Sequence, residues 1–379
     1  MPGSLPMDYT IQLANALSKN DETKVKLLVY NISSLDKELL DGVYSKVELY
    51  LTEKFESPLF NPKNFINPKN FIVLCKIIKE IYNFNPDIIH TQAFTKIDIL
   101  ILPFMHRYPI ITTIHDPEPH TGEADLLLQF IKNYLIKHLN HIFVHGEKLK
   151  EIMINKYKIP ESKVSAIPMG EHNVLPFMRY IKKGTKIKCE NCTILFFGRI
   201  GRYKGLEYLI QAESIISKNI PHVKIIIAGE PVKKFDMDKH KKMMDNDKYI
   251  VYNRCINWEF GAELFQKASV VVLPYIEATQ SGVIPVAYAF KKPVVITNVG
   301  ALPEVVDDGR TGFIVPPKEP EALAEAIIKL LKDERLRKEM GRAGYKKLKT
   351  DMSWDKISKM TIEVYKNVLT THSLCPDQV

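Results

Sequence analysis

Residues 194–205 read ILFFGRIGRYKG. Ile194 to Phe197 make an apolar run as long as a short buried strand, and the run stops at Gly198. Arg199, Arg202 and Lys204 follow within the next few positions, spaced by Gly201 and Gly205. Glycines at a strand end let backbone N–H groups approach a ligand closely. A helix beginning near Gly205 would add its positive N-terminal end. Arg199 can fork onto two oxygens of one phosphate, and Lys204 is a compact point charge. The stretch therefore suits a diphosphate, although alone it also reads as a basic surface loop. It is not a Walker A loop, because no GKS or GKT follows, and its glycine spacing is not the dinucleotide fingerprint.

Working outward, short apolar runs alternate with amphipathic segments along the chain. KVKLLVY, DIIHTQ, PIITTIHD, HIFVHG and VSAIPMG are strand candidates in the first half. TILFFGR, VKIIIAGE, YIVYN, SVVVLPY, PVVITNVG and TGFIVPP are those of the second. Helical patterns such as NFIVLCKIIKEIYNF and EALAEAIIKLLKDERLRKEM separate them. This alternation predicts an α/β protein built of two doubly wound, Rossmann-like parallel-sheet domains. Their strand C-termini are expected to face a shared cleft, where ligands bind in such sheets. The stretch VLPFMRYIKKGTKIKCENC is basic and turn-rich, without an apolar period, and reads as the break. The expected domains are 1–180 and 181–351, with a closing helix in 352–379 that is expected to cross back to the first domain. No strand precedes PGSLPMDYTIQLANALSK, so the first domain is expected to lack its first strand.

A chain of 379 residues, 45% hydrophobic and 26% charged, has the composition of a soluble globular protein with two cores. Its apolar stretches break before the roughly 20 residues of a membrane span. MPGSLPMDYT is no secretory signal, and five scattered cysteines argue for a reducing compartment. A cytoplasmic location is therefore expected, with peripheral membrane contact left open. Cys189 and Cys192 form a lone CxxC and are expected to bind no metal. The net charge of +9 is uneven: residues 1–180 hold 20 basic and 20 acidic side chains, leaving 33 and 24 in the remainder. The second half thus suits an anionic ligand. Nucleic acid fits least, because the basic runs lack interleaved aromatics and a recognition motif.

FGRIGRYKGLEYLIQA, IIIAGE, LFQKASVVVLPY and PVVITNVGALPEVVDDGRTGFIVPP occur in that order over residues 190–350. This half resembles the C-terminal domain of the family 4 glycosyltransferases, retaining enzymes of the GT-B fold; PDIIHTQ and TTIHD resemble the family more weakly. The resemblance implies that Gly198, Arg199 and Lys204 bind the diphosphate of a nucleotide-sugar. It also implies that His115, ending the ITTIHD strand, faces the transferred sugar. His90 and His145 also lie at expected strand ends and are further candidates for ligand contact. The family carries Glu-x7-Glu after the VVVLPY strand, and those positions are Ala278 and Val286 here. EATQSG resembles a divergent branch of the family, in which Glu277, one position away, returns to the site. Glu304 of ALPEVV is a candidate for the second glutamate, or else a local helix cap. Thr279, Gln280, Ser281 and Gly282 sit at a predicted helix start, where they either hold a phosphate oxygen or simply cap the helix.

The expected activity is transfer of a hexose from a nucleoside diphosphate sugar to a hydroxyl acceptor, with retained configuration and no metal or other cofactor. Asp307–Asp308 precede a glycine turn and read as loop rather than as metal ligands. The acceptor is a glycan, a lipid-linked group or a small molecule. Two rivals are a catalytically silent nucleotide-sugar-binding or regulatory relative, favoured by the missing glutamate pair and the absent first strand, and a nucleotide-sugar epimerase on the same fold.

Overall fold

A computed structural model describes residues 5–31, 37–54, 68–92, 98–117, 133–171, 174–182, 190, 192–232, 235–245 and 247–374. Internal contacts divide the chain into two units. The first holds the described residues up to 117, those of 133–168 and those from 354 on; the second holds those of 169–353.

The second unit is one six-stranded parallel sheet. Its strands are β7 (Thr193–Phe197), β8 (Lys224–Ala228), β9 (Tyr249–Tyr252), β10 (Val270–Leu273), β11 (Val294–Thr297) and β12 (Gly312–Val315). They lie in the order β12-β11-β10-β7-β8-β9. The chain winds outward from β7 in one direction, then returns to lay β10 on the other side of it. That reversal is the topological switch point of a doubly wound sheet. β10 and β11 are buried throughout, and β7 and β8 at all but one residue each, because both sheet faces are covered there, whereas the edge strand β9 leaves Ile250 exposed. Ile194, Phe196, Ile225, Ile227, Val270 and Val272 enter one core with the helices Leu206–Asn219 and Pro320–Lys332. Their neighbours Leu195, Ile226, Val271 and Leu273 enter the other, with the helices Trp258–Lys267 and Val283–Ala289.

In the first unit β1 (Val25–Val29) pairs in parallel with β2 (Val47–Leu51). A parallel four-stranded sheet follows: β3 (Ile89–Gln92), β4 (Ile110–Ile114), β5 (His141–Val144) and β6 (Val164–Ala166), in that order. The first described element is the helix Leu5–Leu17. Its Tyr9, Leu13 and Leu17 pack with Ile111 and Phe143 of the sheet and with Ile357, Ile362 and Val368 of the helix Trp354–Leu374. That last helix therefore packs within the first unit.

Two segments differ from the reading of the sequence. β2 was not anticipated: its VELYL carries exposed Glu48 and Leu49 beside buried Val47, so it lacks the apolar run of a core strand. The basic stretch beginning at Val174 is not simply a turn-rich link, since Val174–Lys182 is helical. Its Phe177 meets Trp258 at 5.0 Å and Phe265 at 5.6 Å between ring centroids. Tertiary packing, rather than an apolar period, holds this helix, and it packs with the second unit. Residues 183–189, Cys189 among them, lie outside the described residues.

Phe265 is fully buried, with Phe197 at 4.9 Å and Phe290 at 5.4 Å. Phe265→Ala is predicted to cost about 3–5 kcal/mol of stability. Urea denaturation followed by circular dichroism measures it, and a loss below ~1 kcal/mol contradicts this account of the core.

Candidate functional site

Two loops leave the switch point side by side, and the backbone stitches them together. The loop after β7, residues 198–205, ends in a single 3-10 turn, Arg202–Lys204, before the helix Leu206–Asn219. The carbonyl of Tyr203 accepts the N–H of Ile276 at 2.8 Å and that of Glu277 at 3.3 Å, both from the loop after β10. Gly205 has φ +61°, and a Cβ placed there would lie 2.0 Å from the carbonyl oxygen of Pro274. Only glycine fits that contact. On its other side the β7 loop is tied to the chain after β8: Ile200 N–H donates to Glu230 O at 2.9 Å, and Val232 N–H donates to Ile200 O at 2.8 Å.

A third loop joins from β11. Gly300 has φ +54°, and a Cβ on it would fall 1.7 Å from Ala278 O. Ala301 N–H donates to Thr279 O at 3.2 Å. The carboxyl ends of three neighbouring strands are thus locked into one surface by close backbone contacts.

On this surface Arg199 is exposed and Lys204 half-buried. Lys204 Nζ lies 3.6 Å from the centroid of the Tyr275 ring. Glu277 is exposed, Thr279 and Ser281 are buried, and Gln280 and Gly282 are half-buried. Gly198 faces the next helix, with Val283 Cγ2 3.8 Å from where its Cβ would be. The helix Val283–Ala289 begins right after Gly282, and Ser281 Oγ lies 3.4 Å from the N–H of Val283. Gly198, Arg199, Lys204 and residues 277–282 therefore share the switch-point surface. Glu304 is not on these two loops. It is exposed in the first turn of the four-residue helix Leu302–Val305, one loop further along. Val286 is buried in the core. Asp308 accepts the N–H of Ile314, and Asp307 pairs with Lys347 Nζ at 2.5 Å, so both acidic groups hold a turn. Among the described residues no three His, Cys, Asp or Glu side chains gather to hold a metal ion.

His115 lies in the first unit, directly after β4. Its Nδ1 is 3.0 Å from Nε2 of His145, which directly follows β5. His145 Nδ1 in turn lies 3.4 Å from the carbonyl of Ile167. The edge of Tyr9 packs on both imidazoles, at 5.0 and 5.1 Å between centroids. His115 Nε2 is buried and meets no hydrogen-bond partner among the described residues. Burial, opposed by the nearby Asp116 carboxylate, pushes His115 down to about 4. His90 lies inside β3 rather than at its end. It bonds Tyr365 Oη at 2.6 Å and Thr113 Oγ1 at 2.8 Å, which reads as a structural tie between sheet and last helix. Burial, with lesser contributions from His115 and His141, pushes His90 down to about 3.

Both imidazoles are thus neutral in the fold, and both protonate more readily when unfolded. The unfolded chain binds the extra protons, so stability falls as pH drops from about 6.5 toward about 4. His90→Gln is predicted to flatten that slope in denaturation measured from pH 7 to pH 4. A slope unchanged by the substitution contradicts the assignment.

The chain's relationships agree with this arrangement. The model for "Glycosyltransferase Family 4" matches residues 9–170, and that for "Glycosyl transferases group 1" matches residues 178–347. An uncharacterized glycosyltransferase of Methanocaldococcus jannaschii is 26% identical over 276 residues, 69% of this chain and 70% of that protein. The capsular polysaccharide biosynthesis glycosyltransferase CapM of Staphylococcus aureus is 28% identical over 58% of this chain and 60% of its own length. Among solved structures, a glycosyltransferase of Rickettsia africae has a TM-score of 0.71 at 21% identity, covering 97% of this chain and 96% of that one. HepE of Anabaena, solved in complex with UDP and glucose, has a TM-score of 0.69 at 17% identity, covering 97% of each chain. With a family 4 model matching its first half and a group 1 model matching its second, the chain belongs to the GT-B glycosyltransferases.

Proposed function

We propose that the protein is a retaining glycosyltransferase that moves a hexose from a nucleoside diphosphate sugar to a hydroxyl acceptor. The observation that carries this reading is the stitched switch-point surface. Arg199 and Lys204 stand on one of its loops and Glu277 to Gly282 on the other, with the Tyr203 carbonyl joining the two. Ligands of doubly wound sheets bind outside the strand carboxyl ends at such a point. The ligands of the Anabaena neighbour, UDP and glucose, support a nucleotide-sugar donor.

As the glycosidic bond breaks, negative charge grows on the departing diphosphate. The guanidinium of Arg199 and the ammonium of Lys204, carried on a loop whose backbone is tied on both sides, stabilise that charge. The sugar passes through an oxocarbenium-like state. Retention follows if the acceptor hydroxyl attacks the face from which the diphosphate leaves, its proton passing to a phosphate oxygen. His115, uncharged at neutral pH, is assigned a hydrogen bond to a sugar hydroxyl. Glu277 is assigned the donor contact of the family's first glutamate, since its N–H already meets the β7 loop. The reading invokes no metal or cofactor. The acceptor stays at the level of a hydroxyl compound. Among the described residues no helix is long and apolar enough to cross a membrane, and a cytoplasmic enzyme with peripheral membrane contact fits the reading.

One observation favours a second reading, a nucleotide-sugar-binding relative without turnover. The position of the family's second glutamate is Val286, only 2% exposed within the core. Product release from a panel of nucleotide-sugars separates the two, since binding with no turnover of any donor supports the silent relative. A free altered sugar released without acceptor points instead to an epimerase. For the transferase, Arg199→Ala or Lys204→Ala is predicted to raise the barrier by about 2.7–4 kcal/mol, the cost of one lost oxyanion donor. Steady-state kinetics checks this, and near-full turnover by either variant contradicts the role given to the β7 loop.

A further inference from the structure

Tyr275 follows Pro274 in VVVLPY, and in the sequence it is merely the end of a strand. In the fold its ring is 1% exposed. The ammonium of Lys204 rests 3.6 Å from its centroid, well inside the range over which a cation is drawn to a ring face. The ring of Tyr203, beside Lys204 in the chain, is further away, at 5.2 Å. Tyr275 is itself held at both ends. Its carbonyl accepts the hydroxyl of Thr297 at 2.6 Å, and its own hydroxyl lies 3.3 Å from Ser281 Oγ. Burial pushes the phenol well above its ordinary range, with Ser281 pulling the other way, so the hydroxyl stays protonated.

We infer that Tyr275 is a positioning residue for the anion that Lys204 binds. Its ring face restrains the ammonium, and its hydroxyl orients Ser281, so one buried side chain sets polar groups on both loops. The inference rests on the reading of Lys204 as a diphosphate cation. A lysine on a free stem loses rotamer freedom when it grips an anion. One already resting on a ring has lost much of that freedom before binding, and preorganisation of this kind raises affinity. The ring covers one side of the ammonium. Tyr275 also belongs to the apolar core on that face of the sheet. If it were only filler, its shape would matter and the electron density of its ring would not.

That difference can be measured on the full chain. Tyr275→Phe keeps the ring and drops the Ser281 contact. Phenylalanines with one and then three ring fluorines at position 275 nearly preserve shape while draining the π face. Binding of UDP, GDP and inorganic pyrophosphate is followed by calorimetry at fixed ionic strength, with melting temperature as the folding control. Affinity is expected to fall stepwise through the series, by about fivefold from Tyr275→Phe to its trifluoro form. The same series built on Lys204→Met is expected to show no trend. A flat or rising affinity across the fluorinated series, with Lys204→Met still weakening binding, overturns the role of Tyr275 and leaves the proposed function standing. Equal binding by Lys204→Met and the wild type, or no binding of any probe, overturns the reading of the loop itself.

Discussion

The second unit depends on one seam. The carbonyl of Tyr203 is shared by the N–H groups of Ile276 and Glu277, and Gly205 packs flat against the carbonyl of Pro274. A methyl group at 205 would overlap that oxygen, so the approach of the two loops is set by a missing side chain rather than by attraction alone. The sheet order makes the seam matter. β7 and β10 are adjacent in space but far apart in sequence, and their carboxyl ends flank the point where the winding reverses. Without the seam, Lys204 and the segment 277–282 would be independent surface loops. With it they form one rigid surface, which is what electrostatic stabilisation of a leaving group requires.

The polar groups of the two units are tuned in opposite ways. Arg199 stands exposed on the β7 loop, and the ammonium of Lys204 rests over the buried ring of Tyr275. In the first unit burial strips the charge from His115 and His90, and hydrogen bonds to His145, Tyr365 and Thr113 orient them. Permanent cations suit a phosphate, and neutral imidazoles suit uncharged hydroxyls.

Much of the architecture was legible in the sequence for a simple reason. Strands buried on both faces read as unbroken apolar runs, and all six of the second unit, from TILFF to GFIV, were marked by them. Elements that owe their structure to distant partners were not legible. β2 exposes two of its five side chains, and the helix Val174–Lys182 is held by Phe177 meeting Trp258 and Phe265 more than eighty residues away. The same holds for the candidate site. Glycines and cations on one loop signalled Gly198, Arg199 and Lys204, but sequence gave no sign that Tyr275 lies under Lys204. The pairing of His115 with His145 was equally hidden, because it needs β4 and β5 side by side. Glu304 lies one loop further along, exposed in the first turn of a four-residue helix whose place the sequence alone does not show.

The most direct measurement is a crystal structure of the protein soaked with UDP or GDP. The account predicts the two phosphates against the loop 198–205, with oxygens within hydrogen-bonding reach of Arg199 and Lys204. A nucleotide bound elsewhere, or absent from crystals in which those loops are open to solvent, would contradict it.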